Sequence, residues 1–196
     1  MASSGQDARP VILAAAERLL RKRGAGTPTL EAVAREAGCA KGLVNYHFPS
    51  KAELLAAVAE RMGNDRASRW SAAFGALSAE AAIRATWDLI LAERRDGSGV
   101  AWAALRAEVA KATVHAVNLQ TVRFATVLGH GGLRLLEALG LEPSVAAGEL
   151  GWYLAAVVQG MEVLLSAGAA STELEGAYAA AWLGILSLTR PPQSSR

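Results

Sequence analysis

The sequence predicts an all-α fold: an N-terminal three-helix unit containing a helix-turn-helix, followed by a longer helical region. Three observations lead there. In TLEAVAREAGCAKGLVNYHFPSK, residues 29–51, Leu30, Val33, Ala34 and Ala37 recur at i, i+3, i+4 and i+7, the apolar stripe of one short helix. Gly38 interrupts that pattern with a residue suited to ending a helix, and helical spacing resumes at Lys41 with Val44 and Phe48 facing the first helix. Past residue 50, apolar residues keep helical period over long stretches, with no defensible strand and no internal repeat.

Composition sets the outer bounds. A chain of 196 residues with 52% hydrophobic content has core material for one moderate domain, or a small domain joined to a larger one. No run reaches the ~18 apolar residues of a membrane span. The opening MASSGQDARP lacks the apolar segment of a secretory signal, so a cytoplasmic protein without a membrane partner is expected. A single cysteine, Cys39, excludes an internal disulfide and a Cys-rich zinc site. Beside apolar neighbours it reads as a small filler of the turn. Net charge is only +2, but residues 1–66 hold ten Lys/Arg against seven Asp/Glu, while 67–196 hold ten against eleven. The basic excess sits at the helix-turn-helix end, where phosphate contact requires it.

Taken in order, residues 1–8 read as a polar, aperiodic tail. Pro10 suits the first turn of a helix whose buried face is Ile12, Ala15, Ala16, Leu19 and Leu20. Arg21-Lys22-Arg23 close it as solvated cations at the negative end of the dipole, and Gly24 stops it. Thr29 is placed to cap the next helix. After Phe48-Pro49, Ser50 and Glu53 have capping-box spacing and open a long helix to about Trp70, with Leu54, Leu55, Val58 and Met62 inward. Ser78 caps a helix over 79–95, and Asp96-Gly97-Ser98-Gly99 reads as a loop. Helices are expected at about 100–112, 114–139, 144–166 and 172–189, the last with Thr172 and Glu175 as a capping box. Gly129, Gly131 and Gly132 fall inside helical period, so they mark close packing or a kink; GHGG follows no strand and is not a phosphate cradle. Leu141-Glu142-Pro143-Ser144 reads as a turn, and Arg190-Pro191-Pro192 ends regular structure.

Two short helices joined by a tight turn containing Gly form the pattern whose second helix enters the DNA major groove. That helix leaves Lys41, Leu43, Asn45 and Tyr46 outward, more than an ordinary helical hairpin would spare. The run Gly24, Thr29, Ala34, Gly38, Lys41-Gly42, Tyr46-His47-Phe48 and Lys51 resembles the DNA-binding region of the TetR family of bacterial transcriptional regulators, over roughly Ala8 to Leu55. The resemblance implies a DNA-binding domain over 9–54, a helical ligand-binding and dimerisation domain over 55–190, and a tail over 191–196. It implies that Lys41, Gly42, Leu43 and Asn45 read bases, and that Tyr46, His47 and Lys51 contact phosphate; for His47 a packed, partly buried imidazole is an equal alternative. The chemistry agrees: Asn can pair with adenine, Lys can donate to guanine, and Leu can touch a thymine methyl. Thr29, at a helix N-terminus, could hold a further phosphate. Two departures stand out. Ala40 replaces the Ser or Thr that often caps the second helix in this family, and Asn45 stands where Tyr is frequent.

The rest of the chain gives a broader reading. Trp87, Trp102, His115, Asn118, Phe124, Trp152 and Gln159 could line an apolar pocket with a few polar groups, the usual form of a small-molecule site, though each alone is more often a core residue. The last two helices carry Leu154, Met161, Tyr178, Trp182, Ile185 and Leu186 and almost no polar face. Burial within one chain and pairing with a second copy both account for that; the resemblance implies the second, a four-helix dimer interface. Arg106 and Glu108 are read as surface charges, and His47, His115 and His130 offer no metal cluster. No cofactor motif and no local catalytic signature occur. The expected function is a homodimeric regulator, more often a repressor in this family, bound to a double-stranded operator and responsive to a small, largely apolar effector. An all-helical binding protein or enzyme using the helix-turn-helix as scaffold is the alternative.

Overall fold

The computed structural model describes residues 8–22, 26–75, 78–187 and 189–190. The N-terminal tail, Arg23 and Gly24, and the end from Pro191 onward lie outside them. The helices are α1 (Ala8–Leu20), α2 (Leu30–Ala37), α3 (Lys41–His47), α4 (Lys51–Phe74), α5 (Ala79–Arg95), α6 (Ser98–Arg106), α7 (Lys111–Ala138), α8 (Ala147–Ser166) and α9 (Ser171–Leu186). The 141–144 turn carries a two-residue strand, β1 (Glu142–Pro143), paired antiparallel with β2 (Thr189–Arg190). This small ladder corrects the expectation of no strand and leaves the fold all-α.

The chain divides into two compact units, Met1–Asn64 with Asp96–Gln120, and Asp65–Arg95 with Thr121–Arg196. In the first, Ile12, Leu13, Ala16 and Leu20 of α1 pack with Val33, Val44 and Phe48 and with Leu54, Leu55 and Val58 of α4. Trp102 and Leu105 of α6 and Val117 of α7 complete this core. Arg21, expected in solvent, is instead a clamp: it pairs with Glu17 at 2.6 Å and Asp96 at 2.9 Å and donates to the Asp96 carbonyl.

Asp96 also explains why α6 starts inside the expected loop. Its Oδ1 accepts the Ser98 N–H at 2.8 Å, while Gly97 takes φ 80°, so the helix begins at Ser98. The helix ends at Arg106 and α7 starts at Lys111, so the break expected near 113 falls over 107–110, where no Gly or Pro marks it. Ser50 and Ser78 cap as expected, their hydroxyls accepting the N–H groups of Glu53 and Ala81 at 3.2 Å. The Thr172–Glu175 box does not form, because α9 starts one residue earlier with Ala170 in the cap position.

In the second unit the core joins Trp70 and Phe74 of α4, Trp87 and Ile90 of α5, Phe124 and Leu128 of α7, and the inner faces of α8 and α9. A buried ion cluster crosses it. Arg66 pairs with Glu93 at 2.9 Å and with Glu162, lies 3.8 Å from the Phe124 ring centroid, and Trp70 Nε1 donates to Glu93 at 3.0 Å. The glycines of α7 serve close packing inside an unbroken helix. A Cβ on Gly129 would lie 2.1 Å from the Ala147 carbonyl oxygen, and one on Gly151 would lie 2.2 Å from that of Ala125. The helices α7 and α8 therefore cross with glycine against glycine.

The residues expected at a dimer interface divide by burial. Leu154, Met161, Tyr178, Trp182 and Ile185 are buried in this chain's own core, and Leu186 is exposed. Helical period turns a different set outward: Trp152, Tyr153, Val163 and Leu164 of α8, and Leu183 with Leu186 of α9. Both faces of these helices are apolar, and sequence alone did not show which one the core takes.

Two outcomes are expected. Gly129→Ala, which must push a backbone carbonyl aside, lowers stability by about 1–3 kcal/mol or more in urea unfolding. Gly148→Ala, whose Cβ meets nothing within 4 Å, does not. The second concerns pH. Burial pushes the Asp96 carboxyl up, but hydrogen bonds from Ser98 and the Arg21 guanidinium outweigh it and hold it below the usual range. A depressed folded-state value gives stability that is present above the ordinary Asp value and lost as pH falls through the depressed one. The melting-temperature gap between wild type and Asp96→Asn therefore narrows in acid; a gap unchanged from neutral to acid pH contradicts this account.

Candidate nucleic-acid interface

The exposed face of α3 is built from the positions that hold the helix down. Val44 is 0% and Phe48 2% exposed, and α1, α2 and α4 supply their neighbours. The 100° step of an α-helix then turns Lys41, Gly42, Asn45 and Tyr46 to the surface, with Tyr46 80% exposed. Leu43 is half-buried at the edge of that face. A Cβ on Gly42 would meet nothing, so packing within this chain does not demand a glycine there. Lys41 lies 3.8 Å from Glu31, both exposed, a contact that is weak in water.

The turn is set as its residues suggest. The Thr29 hydroxyl oxygen accepts the Ala32 N–H at 3.1 Å, which leaves its own hydrogen free to donate. Gly38 ends α2 at φ 66°, and its N–H returns to the Ala34 and Arg35 carbonyls. Ala40 occupies the cap position of α3 without a side-chain hydrogen bond. His47 is half-buried, edge-on to Tyr46 with ring centroids 5.2 Å apart. Its Nε2 is buried without a hydrogen-bond partner, so packing is the visible role of this imidazole.

Lys51 does not project freely. Its ammonium donates to Thr27 Oγ1 at 2.7 Å and to Glu108 Oε1 at 3.1 Å, and the Thr27 hydroxyl also bonds Glu108. The Thr27 hydrogen bond pulls the Glu108 carboxyl below its usual range, burial opposes that, and Lys51 adds to the lowering. Glu108 was expected on the surface. It instead joins the base of the helix-turn-helix from 57 residues along the chain, and no local pattern signals that.

The seven residues expected at a small-molecule site are not brought together. Trp102, His115 and Asn118 belong to the first unit, while Trp87, Phe124, Trp152 and Gln159 belong to the second. The division follows from α7, whose first ten residues turn Ala116 and Val117 into the first core and leave His115 and Asn118 exposed. Trp102 is core, Phe124 lies against Arg66, Trp152 is exposed, and Gln159 is half-buried. Among the described residues, the second unit has a groove of about 490 Å³ lined by Ala67, Ser68, Ser71, Ala72, Arg123 and Val127. A smaller hollow of about 140 Å³ is lined by Ile83, Arg84, Trp87, Glu175 and Tyr178, among others. No group of three or more His, Cys, Asp or Glu among the described residues could hold a metal, and no described helix is long and apolar enough to cross a membrane.

Comparison with known proteins matches residues 12–58 to the family described as bacterial regulatory proteins, tetR family. The HTH-type transcriptional regulator TtgR of Pseudomonas putida is 40% identical over 57 residues, 29% of this chain and 27% of that protein. The matched stretch thus spans about a quarter of that relative's length. Among solved structures, the reduced form of Escherichia coli NemR aligns over 95% of this chain and all of that one, with TM-score 0.76 and 19% identity. NalD of Pseudomonas aeruginosa, named as the secondary repressor of the MexAB-OprM multidrug efflux pump, aligns over 98% of this chain and all of its own, with TM-score 0.58 and 19% identity. At these identities the whole-chain likeness is one of fold.

Proposed function

From a helix-turn-helix on residues 12–58 that matches the tetR family, in a chain sharing the fold of solved bacterial regulators, we propose a ligand-responsive, DNA-binding transcriptional regulator. In this reading residues 9–54 bind a pseudo-palindromic operator and 55–190 carry the dimer contact and the effector site. The protein acts as a repressor in the cytoplasm and is released from DNA by a small, largely apolar molecule. The observation that carries the reading is α3: two buried anchors present Lys41, Gly42, Asn45 and Tyr46 on one exposed face.

The base-reading roles go to Lys41, Leu43 and Asn45, with Gly42 allowing close backbone approach. Tyr46, the Thr29 hydroxyl and Lys51 serve phosphate. His47 stays with them as a phosphate donor only through its Nδ1 side, since Nε2 is buried. The repressor assignment is supported by the role that NalD is named for, and the absence of catalysis by relatives that are transcriptional regulators. The dimer contact goes to the outward apolar face of α8 and α9, because a face with Val163 64% and Leu183 67% exposed is costly to leave in water.

Selection of bound fragments from genomic DNA tests the function directly, and retention of none overturns it. With a selected duplex, Tyr46→Phe weakens binding to all sequences alike, as loss of a phosphate contact does. Asn45→Ala changes the preferred half-site, at about 1–3 kcal/mol per lost base contact. An unchanged preference removes Asn45 from base reading. For the dimer, sedimentation at micromolar concentration gives wild-type dimer and monomer for Val163→Glu with Leu183→Glu. A monomeric wild type contradicts the assignment.

A further inference from the structure

We propose that Glu108 is an intramolecular competitor for Lys51, so that a closed Thr27–Lys51–Glu108 latch lowers DNA affinity and must open before Lys51 can serve a phosphate. The inference rests on the DNA-binding reading above and adds a regulatory element to that site. Its three members come from separate segments of the first unit: the loop before α2, the first residue of α4, and the break between α6 and α7. Lys51 has three N–H donors, and the latch uses two, on Thr27 at 2.7 Å and Glu108 at 3.1 Å.

Charge makes the contact competitive. A phosphate oxygen and the Glu108 carboxylate are the same kind of acceptor for one ammonium, and Glu108 reaches it without diffusion. With the pair closed, Lys51 adds no net positive charge at the DNA face, and the carboxylate repels an approaching phosphate. The Lys51 side chain is 41% and that of Glu108 20% exposed, so the pair can exchange with an outside anion, unlike a fully buried one. Thr27 strengthens the competitor, because its hydroxyl donates to the same carboxylate and holds it in place. The Ala107 and Glu108 N–H groups still return to the Ala103 and Leu105 carbonyls, but the segment lies between two helices and Val109 is 92% exposed, so the Glu108 side chain can withdraw without dismantling a core.

The test uses the full-length protein and a duplex selected as above. Glu108→Gln keeps the shape and removes the charge; Glu60→Gln, on an exposed position of α4, is the charge-matched control. Glu108→Gln is expected to tighten binding by about fivefold per half-site, the upper range for a partly exposed pair, with Glu60→Gln well below that. In a Lys51→Ala background the two substitutions have equal, small effects. Independently of DNA, the rate at which Lys51 is acylated, followed by mass spectrometry, rises in Glu108→Gln. Equal affinities for Glu108→Gln and Glu60→Gln, or weaker binding by Glu108→Gln, overturn the proposal, the latter by making Glu108 a positioning residue for Lys51. A wild type that retains no genomic fragment overturns the DNA-binding reading itself, and the latch proposal with it.

Discussion

The exposed face of α3 depends on the burial of Val44 and of Phe48, the residue just past its end, because the helix is too short to stand alone. The helix α3 has seven residues and no side-chain cap, well below the length at which an isolated helix persists in water. Val44 and Phe48 hold it, each worth about 1.5–3 kcal/mol when fully buried, more than the ~1 kcal/mol of the missing cap. The Arg9 guanidinium lies 5.2 Å from the Phe48 ring centroid, so α1 also bears on that anchor. Because the anchors fix the helix's rotation, they choose which side chains face outward. The outward placing of Asn45 is in this sense a packing property of Phe48.

Charged side chains divide into two kinds that the sequence does not distinguish. In the second unit, Arg66 is 5% exposed between Glu93 and Glu162, and removing it would leave two buried carboxylates without their shared cation, at a cost of about 3–5 kcal/mol. That cluster is a fixed part of the core. In the first unit, the Arg21–Asp96 and Lys51–Glu108 pairs join segments 75 and 57 residues apart, and each keeps substantial exposure. Partly exposed pairs of this kind are worth ~1 kcal/mol or less, so they can bias an arrangement and be outcompeted by another ion.

The legible parts of the fold were those with a local cause. Thr29, Gly38, Ser50 and Ser78 act on backbone groups within four residues, and spacing alone located them. The face of α3 was legible for the same reason, since a short amphipathic helix has one apolar side. The errors arose where the deciding partner is distant. The α6–α7 break carries no Gly or Pro, and Glu108 turns away from the surface towards Thr27 and Lys51. Thr172 and Glu175 have capping spacing, yet α9 begins with Ser171. On α8 and α9 both faces are apolar, so periodicity could not assign Tyr178 and Trp182 inward and Leu183 outward. Of the residues expected to line a pocket, His115 and Asn118 fall in one unit and Phe124 in the other because α7 serves two cores, which helical period does not announce.

The helix α4 shares that double service. Among the described elements, α4 and α7 are the helices whose residues fall in both units, and each runs through its division without a break. They run for 24 and 28 residues. The first residue of α4 is Lys51, and Glu108 lies three residues before the start of α7. The two charged ends of the latch therefore stand at the starts of the two shared helices. The groove in the second unit is lined by the same pair, by Ala67, Ser68, Ser71 and Ala72 of α4 and Arg123 and Val127 of α7.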